Sequence, residues 1–193
     1  MAWTRRIALA AALCGAMAVL PGCTVPVAGM TGVSVTEDGQ PLGVMLVCHG
    51  HTDVAVLSTD RGRPGDGGLE LGTWTRTEGL TGYSTWPLSG TGGDGWSTPK
   101  PLAPLVPGQE YTLFGGTKGN SWSVMDVHFS ADDLATLAPG QVIHFDVSGE
   151  SADADGQVTT SVGQFRAEVC SDGPVAGRQV SHGTRHPPPL TRR

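Results

Sequence analysis

The sequence has few basic residues between its two ends. Lys100 and Lys118 are its only lysines, and the formal net charge is −6. All of the acidic residues lie before Gly173, so most of the chain is acidic. Because proteins that bind nucleic acids present basic patches to the phosphates, this composition argues against a nucleic-acid partner.

The sequence also lacks the short motifs of several enzyme classes. It contains no G-x-S-x-G, no H-E-x-x-H and no G-x-x-x-x-G-K-[ST]. Ser97 and Lys100 have the S-x-x-K spacing of penicillin-recognising enzymes, which requires a helix. Pro99 and Pro101 disfavour a helix there, so that match is set aside. We therefore expect no catalytic residues and no cofactor.

One apolar run stands out, and it lies at the N-terminus. Arg5 and Arg6 precede an uncharged stretch from Ile7 to Leu20. A transmembrane helix needs about 20 apolar residues, so this shorter run is typical of a secretory signal. No second run of spanning length follows it.

The end of the signal resembles the lipobox of bacterial lipoproteins. Leu20-Pro21-Gly22-Cys23 places a small residue before a cysteine, although Pro21 is an unusual occupant of its position. The resemblance implies a signal over residues 1–22 and a diacylated Cys23 at the outer face of the cytoplasmic membrane. The alternative is cleavage after Ala18, which would release a secreted, unanchored protein.

Two cysteines remain once Cys23 is acylated and Cys14 leaves with the signal. The compartment outside the membrane is oxidising, so Cys48 and Cys170 predict a disulfide. A closed loop on the order of 100 residues stabilises a fold by about 4 to 5 kcal/mol in the chain-entropy model.

The rest of the sequence favours an all-β fold. Its 29 glycines and 14 prolines separate many short apolar or alternating runs, which is typical of a sandwich or barrel. We expect a tether over residues 23–30, a domain over 31–172 and a disordered, basic, proline-rich tail over 173–193. One short helix is predicted at Ala131 to Leu137, because Ser130 can cap it and Pro139-Gly140 can end it.

The segment Leu105 to Phe114, LVPGQEYTLF, resembles the corner of fibronectin type III and other Ig-like domains. That resemblance implies an Ig-like β-sandwich in which the hydroxyl of Tyr111 bonds back to the backbone. More broadly, the lipobox, the VCHGH strand and the terminal cysteine resemble a group of uncharacterised actinobacterial secreted proteins and lipoproteins. That likeness implies an envelope location and no assigned activity.

The stretch VMLVCHGH carries the densest set of reactive side chains. In an extended strand Cys48 shares a face with Val44, whereas His49 and His51 share the opposite face. Cys48 and a histidine therefore cannot bind one metal without a bulge, which favours the disulfide. His49 and His51 could still supply two zinc ligands, and a polar surface is the alternative interpretation.

Other candidate sites follow from single residue types. His128 and His144, with Asp126 and Asp146, are expected on outer faces of their strands. Trp96 lies among loop-forming residues and is the best candidate for an exposed sugar-stacking platform. The acidic run from Glu150 to Gly156 resembles a calcium loop, with a plain acidic turn as the alternative.

A strand is predicted over Val158 to Val169. Its alternation would turn Cys170 away from the core, together with Arg166 and Glu168. A disulfide to a core-facing Cys48 then requires a twist or a strand end at Cys170.

These observations together predict a lipid-anchored envelope protein with a binding or scaffolding role. The partners expected are the membrane, through Cys23, and an unknown envelope ligand or protein. A metal-binding module holding zinc or copper and a hydrolase acting on the cell wall are the two alternatives.

Overall fold

The computed structural model describes residues 25–59, 68–147 and 156–171. Most of them lie in strands, which confirms the all-β class. The strands are β1 (Val27–Val35), β2 (Pro41–Thr59), β3 (Glu70–Pro87), β4 (Gly92–Gly93), β5 (Trp96–Ser97), β6 (Glu110–Gly116), β7 (Ser123–Ser130), β8 (Gln141–Phe145) and β9 (Gln157–Ser161). The helices are α1 (Ala131–Thr136) and α2 (Val162–Glu168).

The described strands form one sheet in the order β4-β5-β3-β2-β6-β7-β1-β8-β9. An additional pairing joins β1 to β2, so the ladders also close a circuit through β1, β2, β6 and β7. The β1–β7 pairing is parallel, and the other pairings of the circuit are antiparallel.

The long strands β2 and β3 form a hairpin that is bent in its middle. Residues 41–47 of β2 pair with β1, whereas residues 54–59 pair with β6. When the strand directions are followed around the circuit, the half of β2 that pairs with β1 and the half that pairs with β6 run in opposite directions. Between them the register with β3 shifts, from Val47 to Thr52. Residues 48–53 are therefore a corner, which we call the β2 corner.

The two halves of β2 enclose the main core. Met45 and Val47 from the first half belong to the same buried cluster as Ala55 and Leu57 from the second half. The side chains of this main core alternate along each strand, as expected for strands that turn one face toward a buried core.

β1 begins earlier than predicted. Val27 to Met30 were assigned to the tether, but they pair with β7 and β2. Ala28 and Met30 have no exposed surface, and Gly29 faces the backbone of Leu46 so closely that no side chain would fit. The domain therefore includes residues 27–30, because their apolar side chains complete the core.

α1 is confirmed close to its predicted bounds. The side chain of Ser130 accepts a hydrogen bond from the Asp133 amide at 3.1 Å, and Asp133 in turn accepts from the Ser130 amide at 2.7 Å. This reciprocal capping box satisfies two amides that the helix leaves unpaired.

The strand predicted over Val158 to Val169 is wrong in its second part. β9 ends at Ser161, and α2 follows directly, so the described residues contain two helices instead of one. Ser161 and Gln164 form a second capping box. Phe165 and Val169, one helical turn apart, lie on the same side of α2 and are both buried.

α2 covers the face of β1 and of the first half of β2 that points away from the main core. Phe165 and Val169 pack with Met30, Val44 and Leu46 in a second buried cluster, which we call the helix-covered core. β1 and the first half of β2 are consequently buried on both faces. Within the described residues, no helix has the length and hydropathy that a membrane crossing would need.

Candidate functional site

The histidines of VCHGH lie at the β2 corner. Gly50 adopts a positive φ of 62°, which glycine reaches without strain. A side chain at Gly50 would also meet the Trp122 ring at 2.5 Å. The chain therefore turns here, and both His49 and His51 are exposed.

The corner does not assemble a metal site from described residues. No group of three histidine, cysteine, aspartate or glutamate side chains in this part of the chain could hold a metal ion. The two imidazoles are exposed to solvent. Among the residues described, none supplies the third ligand that the predicted zinc site would need.

The predicted disulfide is confirmed. Cys48 and Cys170 are joined with a Cα–Cα distance of 5.4 Å. Cys48 packs against the helix-covered core, as expected from its prediction on the same strand face as Val44. Cys170 can reach it because α2 replaces the expected strand, so the orientation inferred from strand alternation does not apply.

Tyr111 makes the backbone contact that the Ig-like corner requires. Its ring is 2 % exposed and packs on Phe129 with ring centroids 5.7 Å apart. The hydroxyl accepts a hydrogen bond from the Val106 amide at 2.7 Å. This bond ties the segment before β6 to the main core.

A row of three polar side chains crosses the outer face of β6 and β7. Thr112 Oγ1 lies 3.0 Å from His128 Nδ1, and His128 Nε2 lies 3.4 Å from Asp126 Oδ2. The order hydroxyl, imidazole, carboxylate is that of a nucleophile, a base and an orienting group. The His128 and Asp126 side chains are 43 % and 49 % exposed, so water screens their interaction.

His144 was expected on an outer face with His128, and that expectation is wrong. It is 6 % exposed, because α2 covers it, and its ring lies 5.0 Å from that of Phe165. Nδ1 lies 2.8 Å from the Phe145 carbonyl, so Nδ1 carries the proton, and Nε2 accepts from the Thr160 hydroxyl at 2.9 Å. Burial lowers the pKa of His144, against smaller opposing effects of the Phe145 bond, Asp146 and Glu168.

Trp96 was expected to be exposed, and that expectation is also wrong. It is 3 % exposed and packs on Trp86 with ring centroids 4.6 Å apart. The Arg76 guanidinium covers it, 5.4 Å from the ring centroid, and its indole nitrogen donates to Ser84 Oγ at 3.0 Å. The glycine-rich loop folds back on the sheet, so Trp96 offers no stacking platform for a sugar.

Described residues also form a cleft at the end of the molecule where β1 connects to β2. Its volume is about 310 Å³, near the lower end for ligand sites. We call it the apolar cleft. It is lined by Gln40, Pro41, Ser89, Leu102, Ala103, Pro104, Leu105, Ala131 and Leu134.

Three parts of the fold shape the apolar cleft. Leu102 and Leu105 belong to the irregular segment that Tyr111 fastens, and both pack against the main core. Leu134 comes from α1, whose capping box fixes its first turn. Pro41 is held by the bond from the Leu88 amide to its carbonyl, at 3.0 Å. The described residues of the lining include no charged side chain, so the cleft suits uncharged, apolar groups.

Sequence reasoning did not find the apolar cleft. Its residues are apolar or small and come from four separate segments, so no local pattern marks them. The run PLAPL at 101–105 was the available signal, because a proline-interrupted apolar segment cannot join a central strand.

Two predicted sites fall outside the described residues. Cys23 precedes residue 25, and the acidic run from Glu150 lies in the gap between 147 and 156, of which only Gly156 is described. The lipid anchor and the calcium loop therefore stay predictions.

No family model, curated protein or solved structure matches this chain.

Proposed function

We propose that this chain is a lipid-anchored protein of the cell envelope with a non-catalytic binding role. A signal over residues 1–22 directs export, and an acylated Cys23 holds the Ig-like domain at the outer face of the cytoplasmic membrane. The disulfide between Cys48 and Cys170 supports an oxidising compartment, since such bonds are rare in the cytosol. The resemblance to actinobacterial lipoproteins supports the same location.

The observation that carries the binding role is the position of the apolar cleft. Cys23 lies four residues before β1, whereas Gln40 and Pro41 of the cleft follow the end of β1. At about 3.3 Å per residue, β1 spans roughly 25 Å from Val27, where the chain from Cys23 enters the domain, to the end of the strand that leads to the cleft. A protein anchored through Cys23 would therefore present the cleft away from the membrane, where a small apolar ligand could enter it.

Filling the cleft tests this role. The substitution Ala103→Trp adds a large side chain to an exposed position of the lining. We expect it to weaken binding of the uncharged fluorescent probe N-phenylnaphthylamine by at least about tenfold, measured by titration of the probe emission. That loss corresponds to about 1.4 kcal/mol, a modest share of what a small ligand gains from burial.

Val106→Trp is the matched control. It adds the same side chain three residues away, at a residue that is 59 % exposed and outside the lining. It should bind the probe as the unsubstituted protein does. Equal weakening by both substitutions, or no saturable binding by the unsubstituted protein, would reject the cleft as the binding site.

The two alternative functions, a wall hydrolase and a metal-binding module, would depend on different residues. A wall hydrolase would depend on the row Thr112, His128 and Asp126 rather than on His51, because this exposed row joins a hydroxyl to an imidazole and a carboxylate. Ester hydrolysis that His128→Asn abolishes would favour this alternative. Stoichiometric zinc or copper, lost in the His49→Ala and His51→Ala variants, would favour a metal module.

A further inference from the structure

The row of Thr112, His128 and Asp126 is built on two paired strands, and we call it the polar row. Thr112 of β6 is the direct cross-strand partner of His128 on β7, and Asp126 lies two residues before His128. Side chains two residues apart in a strand point to the same face. Val127, between them, is fully buried in the main core, so Asp126 and His128 both point outward. The sheet therefore holds the three polar side chains next to one another.

The contact between His128 and Asp126 is not a hydrogen bond. Nε2 of His128 lies 3.4 Å from Oδ2 of Asp126. Hydrogen bonds from N–H to oxygen span about 2.7–3.2 Å, and those between charged groups are shorter still. A nitrogen and an oxygen atom thus face each other at a distance too long for a hydrogen bond, but close enough for both to bind one ion.

The separation of these two atoms matches the edge of a tetrahedral zinc site. Zinc binds imidazole nitrogen at about 2.0–2.1 Å and carboxylate oxygen at about 2.0–2.2 Å, so two such ligands at the tetrahedral angle lie about 3.3–3.5 Å apart. Ligands at the right angles of a square-planar or octahedral site lie only about 2.8–3.0 Å apart. The observed 3.4 Å therefore fits zinc better than copper(II) or nickel(II).

Thr112 orients the imidazole of His128 for such a role. Its Oγ1 lies 3.0 Å from Nδ1 of His128. In the tautomer that carries its proton on Nδ1, the ring donates to Thr112, and Nε2 presents a lone pair on the side of Asp126. Histidines that bind metals ordinarily donate their other ring N–H to an oxygen atom, which fixes the tautomer and the ring orientation. Thr112 supplies that oxygen.

We propose that Nε2 of His128 and Oδ2 of Asp126 bind a zinc ion, with Thr112 as the residue that positions the imidazole. The described residues supply no third histidine, cysteine, aspartate or glutamate ligand, so the ion keeps open positions for water or for an anionic oxygen of a bound ligand. The formal net charge of −6 favours a cation at the surface. The site uses neither His49 nor His51, and it does not depend on the binding role of the apolar cleft.

Equilibrium dialysis against Zn²⁺ tests the site. The chain from residue 23 onward carries Cys23→Ala, because a free thiol would itself bind zinc, and it keeps every described element. Excess Mg²⁺ saturates sites that contain only oxygen ligands. We expect saturable zinc binding that His128→Gln and Asp126→Asn each weaken at least about tenfold, since even the loss of an outer-shell partner costs about 10- to 100-fold.

The positioning role of Thr112 has its own pair of variants. Thr112→Val keeps the shape of the side chain and removes the oxygen, so it should weaken zinc binding about tenfold. Thr112→Ser keeps the hydroxyl and should bind zinc as the unsubstituted protein does. Equal binding by the valine and serine variants would reject the positioning role.

The double variant His49→Ala, His51→Ala is the matched control, because it removes two exposed imidazoles outside the polar row. It should keep its zinc. Zinc lost in this variant and retained in His128→Gln would overturn the proposal in favour of the β2 corner. Unchanged binding by His128→Gln and Asp126→Asn, or no saturable binding by the unsubstituted chain, would also overturn it.

Cobalt(II) in place of zinc tests the geometry. Four-coordinate tetrahedral cobalt(II) absorbs visible light strongly, whereas the octahedral ion absorbs weakly. We expect a strong visible band in the unsubstituted chain that is absent in His128→Gln. A weak, octahedral spectrum that depends on His128 would contradict the tetrahedral site inferred from the 3.4 Å separation.

Discussion

His144 shows how a single buried group makes stability depend on pH. Its bond to Phe145 and its contact with Phe165 hold a neutral imidazole under α2. Since burial lowers its pKa below the ordinary value of 6.5, the unfolded chain binds a proton more readily than the folded chain does. The stability associated with neutral His144 is therefore present above pH 6.5 and declines as the pH falls below it.

We expect the free energy of unfolding to decrease as the pH falls from about 6.5 toward the lowered pKa. In His144→Gln this part of the decrease should be absent, because glutamine keeps hydrogen-bonding groups and does not titrate. Urea unfolding at a series of pH values measures the slope. His128→Gln, on the exposed sheet face, is the control that should keep it, and an unchanged slope in His144→Gln would contradict the assignment.

Trp96 shows the limit of predicting exposure from neighbouring residues. Its neighbours are loop formers, and that pattern correctly predicts an irregular segment. Whether the segment projects or folds back depends on Arg76 and Ser84, which belong to another strand. Such contacts have no signature in a short window of sequence.

At the scale of elements, α2 is the clearest difference between prediction and structure. The run VTTSVGQFRAEV alternates well enough for a strand, and its branched residues favour one. Ser161 and Gln164 form the S-x-x-Q pattern of a capping box, which was the available signal for a helix start. Burial of Phe165 against Met30 and Val44 then stabilises the helix, and these two partners lie far from α2 in the sequence.

Removing the cap of α2 should destabilise the domain modestly. Ser161→Ala loses the acceptor for the Gln164 amide, which lies at 3.1 Å, and should lower the free energy of unfolding by about 1 kcal/mol. Ser161→Asp keeps an acceptor at the same position and should stay close to the unsubstituted protein. Urea midpoints compare the three proteins. A loss of similar size in both variants would show that the hydroxyl acts in some way other than capping.

At the scale of the whole molecule, the disulfide links parts of the chain 122 residues apart. The closed loop runs from Cys48 to Cys170 and contains β3 to β9, whereas β1 and the first part of β2 lie outside it. The bond therefore constrains most of the unfolded domain. Replacing both Cys48 and Cys170 with alanine should therefore lower the free energy of unfolding by about 2 to 5 kcal/mol.

Chemical denaturation of the unlipidated chain measures this effect, and Cys23→Ala is the matched control. Cys23 precedes every described element, so its replacement should leave the unfolding midpoint unchanged. A domain as stable without the Cys48–Cys170 bond as with it would contradict a structural role for the disulfide. A lower midpoint in Cys23→Ala would indicate that the tether contributes to the fold.

The sequence alone determined the β class, the first helix and the partners of the disulfide. Each of these depends on information that is local or compositional, namely turn residues, a capping serine and a count of cysteines in an oxidising compartment. Only the tertiary structure decided that α2 replaces a strand and that His144 and Trp96 are buried. Those outcomes depend on contacts between residues distant in the chain, and alternation within one segment cannot encode which distant surface will cover it.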